Sequence, residues 1–218
     1  MDSKERLKKA SGYTSNKIEN FLDIGCGEGY SLIEAMSRGW NVYGLDITDH
    51  RIENAKASSI KFINSDLINS KLPSNFFDII YIDSVLEHVY NPSDYLSEIK
   101  RILRKGGILY LGVPNEDSLF NDVRKIIYKI TRENITEKIK PFQSPYHING
   151  FNKSSLTFAL NITGFKIIEF RNFASRVEFM KVKPLTKEFF QLLLVFPIYL
   201  LAVPLQREVY LEAYVQKQ

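Results

Sequence analysis

The segment Leu22-Asp23-Ile24-Gly25-Cys26-Gly27-Glu28-Gly29 constrains this chain more than any other. It follows a short apolar run, Asn20 to Ile24, read as a strand. It opens Glu28 to Arg38, whose Leu32, Ile33, Ala35 and Met36 share one helical face, with Gly39 as a stop. Glycines at such a turn allow positive φ and let a ligand approach the backbone closely. A strand feeding a helix through a glycine turn is the first half of a βα unit, and further units follow. Strands are predicted over Asn41–Leu45, Ile60–Asn64, Phe77–Ile82 and Ile108–Val113, and a short helix over Asp49–Ala57 with Asp49 as its cap. Asn91 caps the next helix, with Pro92 at its first position and Tyr95, Leu96, Ile99, Ile102 and Leu103 as its stripe; Gly106-Gly107 is read as its end. Val123–Tyr128 and Asn152–Asn161 read as helices and Phe165–Phe170 as a strand. This alternation predicts an α/β fold with a mainly parallel sheet. At 218 residues the chain reads as a single domain, 1–218.

The spacing of the turn bears on what it binds. Dinucleotide folds use G-x-G-x-x-G and lay a pyrophosphate on the helix N-terminus; here the spacing is G-x-G-x-G. Glu28 stands at that N-terminus, where a carboxylate would repel a pyrophosphate, which disfavours an NAD-dependent oxidoreductase. A cationic cofactor without phosphate, such as S-adenosylmethionine, suits it better. Asp46 at the end of the second strand can accept from both hydroxyls of a ribose, and Asp66 after the third from an adenine amino group. Ligands of open α/β sheets bind beyond the carboxyl ends of the strands, where these carboxylates converge.

These residues resemble the class I S-adenosylmethionine-dependent methyltransferases, strongly over about 20–115 and weakly elsewhere. The residues carrying the resemblance are Leu22–Gly29, Val42–Asp46, Asn64–Leu67 and Phe77 through Asn115. The resemblance implies a doubly wound, Rossmann-like, seven-stranded sheet with an antiparallel last strand, for which Arg207–Val215 is the candidate. It implies a cofactor site in which Asp23, Gly25 and Gly27 line the methionine moiety, Asp46 holds the ribose, Asp66 the adenine, and Asp83 and Ser84 the edge after the fourth strand, with Cys26, Gly29, Ile47 and Leu67 also cofactor-binding. S-adenosylhomocysteine would be the product. Cys26, between two glycines, reads as a small buried residue and not a nucleophile. The family's usual Pro-Gly-Gly is Lys105-Gly106-Gly107 here, a departure in a turn.

Methyl transfer to a hydroxyl benefits from a base, and histidine is the usual choice. Of the three histidines, His50 reads as a surface residue, while His88 and His147 are the candidate general bases; alternatively, His88 fixes a loop by hydrogen bonding. Glu87, His88 and His147 also look like part of a metal site in ubiquinone-pathway O-methyltransferases and small-RNA 2′-O-methyltransferases. Those relatives carry a glutamate three residues before the Glu-His pair, where this chain has Ser84, so a metal would need Asp83 to substitute. The branch resembled most is that of the small-molecule, ubiquinone-pathway-like O-methyltransferases. The expected acceptor is a small molecule: a sugar, a lipid-linked saccharide or a prenylated phenol. A non-catalytic S-adenosylmethionine-binding module and an RNA or metal-dependent O-methyltransferase are the alternatives.

The net charge of +4 is too small to imply nucleic acid, and the basic residues are not interleaved with a stacking platform. Residues 116–150 read as an insertion near the acceptor mouth. Residues 186–205 read as an apolar C-terminal helix, either covering the sheet or lying on an anionic membrane surface. The cations expected to favour the membrane are Arg124, Lys125, Lys129, Arg132, Lys181, Lys183 and Lys187. Spanning is disfavoured because the run is short and a last strand follows it. Met1–Ala10 is charged, without the apolar region of a secretory signal. A lone cysteine fits a reducing compartment, so the expected location is cytoplasmic, with peripheral membrane contact. No oligomeric state is readable.

Overall fold

The computed structural model of the protein describes residues 3–15, 17–131, 147–173 and 186–218. Residues 132–146 of the expected insertion, with Arg132, lie outside the described residues, as do Lys181 and Lys183.

Seven strands form one sheet in the order β3-β2-β1-β4-β5-β7-β6. They are β1 (Asn20–Ile24), β2 (Asn41–Asp46), β3 (Ile60–Asn64), β4 (Phe77–Asp83), β5 (Leu103–Pro114), β6 (Phe165–Phe173) and β7 (Tyr210–Lys217). The first five pair parallel, while β7 runs antiparallel to both β5 and β6. This is the doubly wound sheet expected of the sequence. Helices α1 (Ser3–Gly12) and α2 (Tyr30–Ser37) supply Leu7, Ala10, Leu32 and Ala35 to one core layer. Helices α3 (Pro92–Ile102) and α5 (Lys153–Ile162) supply Tyr95, Leu96, Ile99, Leu156 and Leu160 to the opposite one. A sheet covered on both faces makes β4 buried from Phe77 to Ile82, as its continuous apolar run requires. Helix α4 (Leu119–Thr131) extends the Val123–Tyr128 expectation at both ends, and α6 is Lys187–Ala202.

Two expectations are corrected. Asp49–Ala57 is not an α-helix: only a 3₁₀ turn, Glu53–Lys56, forms. Asp49 accepts from the Arg51 guanidinium (2.9 Å) and backbone N–H (3.1 Å) instead of capping a helix. Gly106-Gly107 does not end α3. The helix stops at Ile102, Leu103 already pairs with Phe77, and the glycines sit inside β5 at an irregularity of register. A Cβ on Gly107 would lie 2.9 Å from the Arg104 carbonyl oxygen, so close packing of strand backbone explains that glycine. The candidate last strand, Arg207–Val215, forms as β7 over Tyr210–Lys217 and is covered on both faces. Leu211, Ala213 and Val215 enter one core layer and Tyr214 the other, and Glu212 is fully buried.

Toward the C-terminal end of α6, Ala202 is buried. Ile198 and Tyr199 pack with Phe120 of α4 and with Val209, while Phe196, Leu200, Leu201 and Val203 are exposed. Among the described residues, no helix is long and apolar enough to cross a membrane.

Candidate functional site

The glycine turn lies where β1 hands over to α2, at the carboxyl edge of the sheet. Gly25, Gly27 and Gly29 all have positive φ (73°, 47° and 81°). The turn is tied to β2: the Gly25 N–H donates to the Leu45 carbonyl (2.8 Å) and the Gly27 N–H to Asp46 Oδ2 (2.9 Å). A Cβ on Gly25 would come within 2.3 Å of Val85, so this glycine serves packing of the turn on the loop after β4. A Cβ on Gly27 would meet nothing within 4 Å. Gly27 therefore faces open space, where a ligand can reach the backbone.

A cavity of about 630 Å³ opens beside the turn, within the size range of small-molecule sites. Asp23, Gly25, Cys26, Glu28, Gly29, Tyr81 and Asp83 line it from the sheet side, and Ser3, Lys4 and Arg6 of α1 from the other. Asp23 is buried, and the Ser31 hydroxyl donates to it. Burial, with the Asp83 and Asp46 charges adding, pushes its carboxyl up to about 7. Burial likewise pushes the Cys26 thiol up to about 12, leaving it a poor nucleophile at neutral pH.

Asp46 and Asp66 stand outside this cavity, at the ends of β2 and β3. Asp66 accepts from the Asn69 backbone (3.0 Å) and side chain (2.6 Å). Ile47 is exposed, whereas Leu67 is sealed in the core, so the structure does not bring its side chain to the edge. Asp83 is heavily engaged. Its Oδ2 accepts from Arg6 Nη1 (2.6 Å) and the Tyr81 hydroxyl (3.2 Å), and its Oδ1 from the Tyr210 hydroxyl (2.7 Å). Tyr210 also bonds the exposed Ser84 side chain.

Glu87, His88 and His147 come together although far apart in sequence. Their ligand atoms all lie within 4.8 Å of one another. The two imidazoles meet edge-on at 5.1 Å between centroids. The Glu87 carbonyl fixes the returning segment by accepting from Ile148 (2.9 Å) and Asn149 (3.0 Å). Glu87 is 1% exposed, and neither carboxylate oxygen has a hydrogen-bond partner among the described residues. Burial, with Asp83 adding, pushes it up to about 7. His147 is held below the usual imidazole range, by burial first and then by the His88 charge, and so favours its neutral form. His88 and His50 are both exposed.

Sequence reasoning missed Arg6. Its Nε donates to Glu212 (2.8 Å) and its Nη1 to the Tyr81 hydroxyl (3.0 Å) as well as to Asp83. Glu212 is held further by Arg171 (2.7 Å) and the Tyr110 hydroxyl (3.0 Å). The Leu7 and Ala10 spacing in a charged N-terminus was the available signal for a docked helix; a glutamate amid the apolar residues of β7 was the signal for its partner.

The chain resembles known proteins across this region. A protein-family model described as a methyltransferase domain matches residues 22–111. A probable S-adenosylmethionine-dependent methyltransferase of Mycolicibacterium smegmatis is 28% identical over 150 residues, covering 67% of this chain and 51% of that protein. A ubiquinone biosynthesis O-methyltransferase of Pseudomonas aeruginosa is 30% identical over 120 residues, covering 51% of this chain and 50% of that protein. Among solved structures, an S-adenosylmethionine-dependent methyltransferase from Archaeoglobus fulgidus superposes with a TM-score of 0.64 at 21% identity, covering 98% of this chain and 92% of that one. The chain spans between 38% and 59% of the length of three of the curated relatives it matches.

Proposed function

Because the chain belongs to the class I S-adenosylmethionine-dependent methyltransferases, we propose that it methylates a hydroxyl oxygen of a small molecule beside the Glu87–His88–His147 cluster. S-adenosylmethionine supplies the methyl group in this family, leaving S-adenosylhomocysteine. The turn fits such a cofactor: Gly27 faces open space, no phosphate is required, and Asp46 stands at the end of β2, adjoining the turn. The observation that carries the acceptor half is the cluster itself, which follows directly after β4 and Asp83. His147, whose imidazole is held below its usual range by burial first, is the candidate to accept the proton of an acceptor hydroxyl. The likeness to a ubiquinone biosynthesis O-methyltransferase supports an oxygen acceptor, a prenylated phenol, a sugar or a lipid-linked saccharide being the classes that suit it. His88→Ala and His147→Ala test this with labelled methyl donor. Turnover should fall by about 10²–10⁴-fold in at least one variant, with S-adenosylhomocysteine affinity retained; unchanged turnover in both contradicts the reading.

A second reading has an observation of its own. Two buried carboxylate oxygens without partners, facing two imidazoles, suit a divalent cation. Asp83 does not complete that set, because Arg6, Tyr81 and Tyr210 occupy both of its oxygens. The ion would serve as a Lewis acid on the acceptor oxygen, with Glu87, His88 and His147 holding it. Activity abolished by chelator and restored by a divalent ion supports this reading; indifference to chelator rejects it.

The exposed apolar face of α6 supports peripheral contact with an anionic bilayer. Lys125 and Lys129 on the adjoining α4 are exposed and form no ion pair among the described residues, as anionic headgroups require. The protein should sediment with phosphatidylglycerol vesicles and not with phosphatidylcholine vesicles. Remaining in the supernatant with both contradicts the contact.

A further inference from the structure

The rim of the Glu87–His88–His147 cluster is apolar. Tyr90, two residues after His88, is 92% exposed, and Ile148, next to His147, is 56% exposed. The two loops that carry them are tied together. The Ile148 N–H donates to the Glu87 carbonyl (2.9 Å), and the Asn149 side chain donates to the Val89 carbonyl (2.5 Å). One exposed apolar side chain needs no explanation, but a group of them around a functional cluster does.

This rim leads to α4 and, through it, to α6. The Glu116 N–H donates to the Phe151 carbonyl (2.8 Å), and Asn121 in the first turn of α4 donates to the Glu116 carbonyl (3.2 Å). The charges of Glu116 and of Arg124 on α4 both act on His147, so α4 leaves the sheet beside the acceptor cluster. Phe120 then packs on Tyr199 of α6, at 4.4 Å between ring centroids. Further along, α4 exposes two stripes at i, i+4 spacing: Lys125 with Lys129, and Ile126 with Ile130. Its one carboxylate, Asp122, is paired with Arg207 (2.6 Å). A cationic stripe beside an apolar ridge is the pattern of a helix that lies in a membrane interface. Helix α6 adds exposed Leu200 and Leu201.

On the reading that the chain methylates a hydroxyl at this cluster, we propose that the cluster opens onto the surface that meets an anionic bilayer, and that the acceptor is a bilayer-resident amphiphile. Its hydroxyl-bearing head is presented at the interface while its apolar tail stays in the lipid. Tyr90 and Ile148 seat the rim at the acyl boundary, and Lys125 and Lys129 meet the anionic headgroups. The peripheral contact is then the route by which substrate arrives, and a freely soluble sugar is not the substrate.

The chain has three histidines, so modification by diethylpyrocarbonate, read by mass spectrometry, reports on three places at once. His50 follows β2, which β1 separates from β4 on the side away from β7. Phosphatidylglycerol vesicles should slow modification of His88 and His147 by about five-fold or more and that of His50 by less than about two-fold. Phosphatidylcholine vesicles should protect none of them. Lys125→Glu combined with Lys129→Glu changes exposed side chains alone and should weaken phosphatidylglycerol binding by about ten-fold or more. Equal protection of all three histidines, protection of none, or unchanged affinity of the double variant overturns the proposal. A stable dimer that forms without lipid and does not bind vesicles gives this face to a second copy and overturns it too. The substrate class is tested with labelled methyl donor, supplied with the membrane fraction of a cell lysate and separately with the soluble fraction. Label in the organic phase of the membrane incubation is the expected result. Label in water-soluble products alone overturns the proposal and leaves O-methylation standing; transfer to neither fraction removes both.

Discussion

An added methyl group meets different surroundings at two neighbouring glycines. At Gly25 it would collide with Val85, at 2.3 Å, and at Gly27 it would enter open space. Both residues hold positive φ, a strain of order 1 kcal/mol for alanine. Gly25→Ala should therefore lower thermal stability severely and take binding with it. Gly27→Ala should cost roughly 1 kcal/mol of stability yet lose S-adenosylhomocysteine affinity by a much larger factor. Denaturant melts paired with calorimetry separate the two; a Gly27→Ala protein with normal affinity would contradict the placement of ligand on that backbone. Asp23 adds a pH signature. Its folded pKa is raised, by burial first, to about 7 from 3.8. Between those values the unfolded chain has released the proton and the folded chain has kept it. This group's contribution thus makes stability fall as pH rises from about 4 to about 7. Asp23→Asn should remove that slope, so unfolding midpoints of the two proteins should diverge upward through this window in favour of the variant. Parallel curves would show that Asp23 ionises normally. These glycines and carboxylates were legible because turn geometry demands the one and strand ends display the other. The packing role of Gly25 was not, since Val85 approaches from another strand's loop.

Elements with local signals were read well, and those held by distant partners were not. Helix α3 carries its own instructions: the Asn91 side chain accepts from the Ser93 (3.1 Å) and Asp94 (3.3 Å) N–H groups, and Pro92 follows. Asn91→Ala should cost about 1 kcal/mol in urea unfolding without altering S-adenosylhomocysteine affinity, because the cap lies away from the cavity; a matching loss of affinity would be the contrary outcome. The end of the same helix was misread. Arg104 and Lys105 look like a cationic last turn, but pairing of Leu103 with Phe77 converts them to strand. Asp49 looked like a cap and is instead an ion-pair partner of Arg51. Helix α1 escaped notice because its anchor is a buried ion pair with residues far along the chain.

Across the whole molecule, the parallel sheet and its order of units could be inferred from alternation, whereas the closure of the site could not. Closure depends on β7 returning beside β5. It brings Tyr210 to Asp83 and Glu212 to Arg6, Arg171 and Tyr110. Removing the Glu212 charge leaves two guanidinium groups facing a neutral amide in the core. Glu212→Gln should destabilise the fold by about 3–5 kcal/mol, seen as a lower urea midpoint; an unchanged midpoint would mean that the network is not a structural tie. The acceptor cluster has the same long-range origin, since His147 reaches Glu87 and His88 only after the chain has left β5 and returned. The glycine turn and the carboxylates at this edge of the sheet suit S-adenosylmethionine and not a dinucleotide. Calorimetric titration of the whole chain with S-adenosylhomocysteine and, separately, with NAD tests it directly. Saturable one-to-one binding of S-adenosylhomocysteine with no heat from NAD is the expected result; binding of NAD, or of neither, would contradict it.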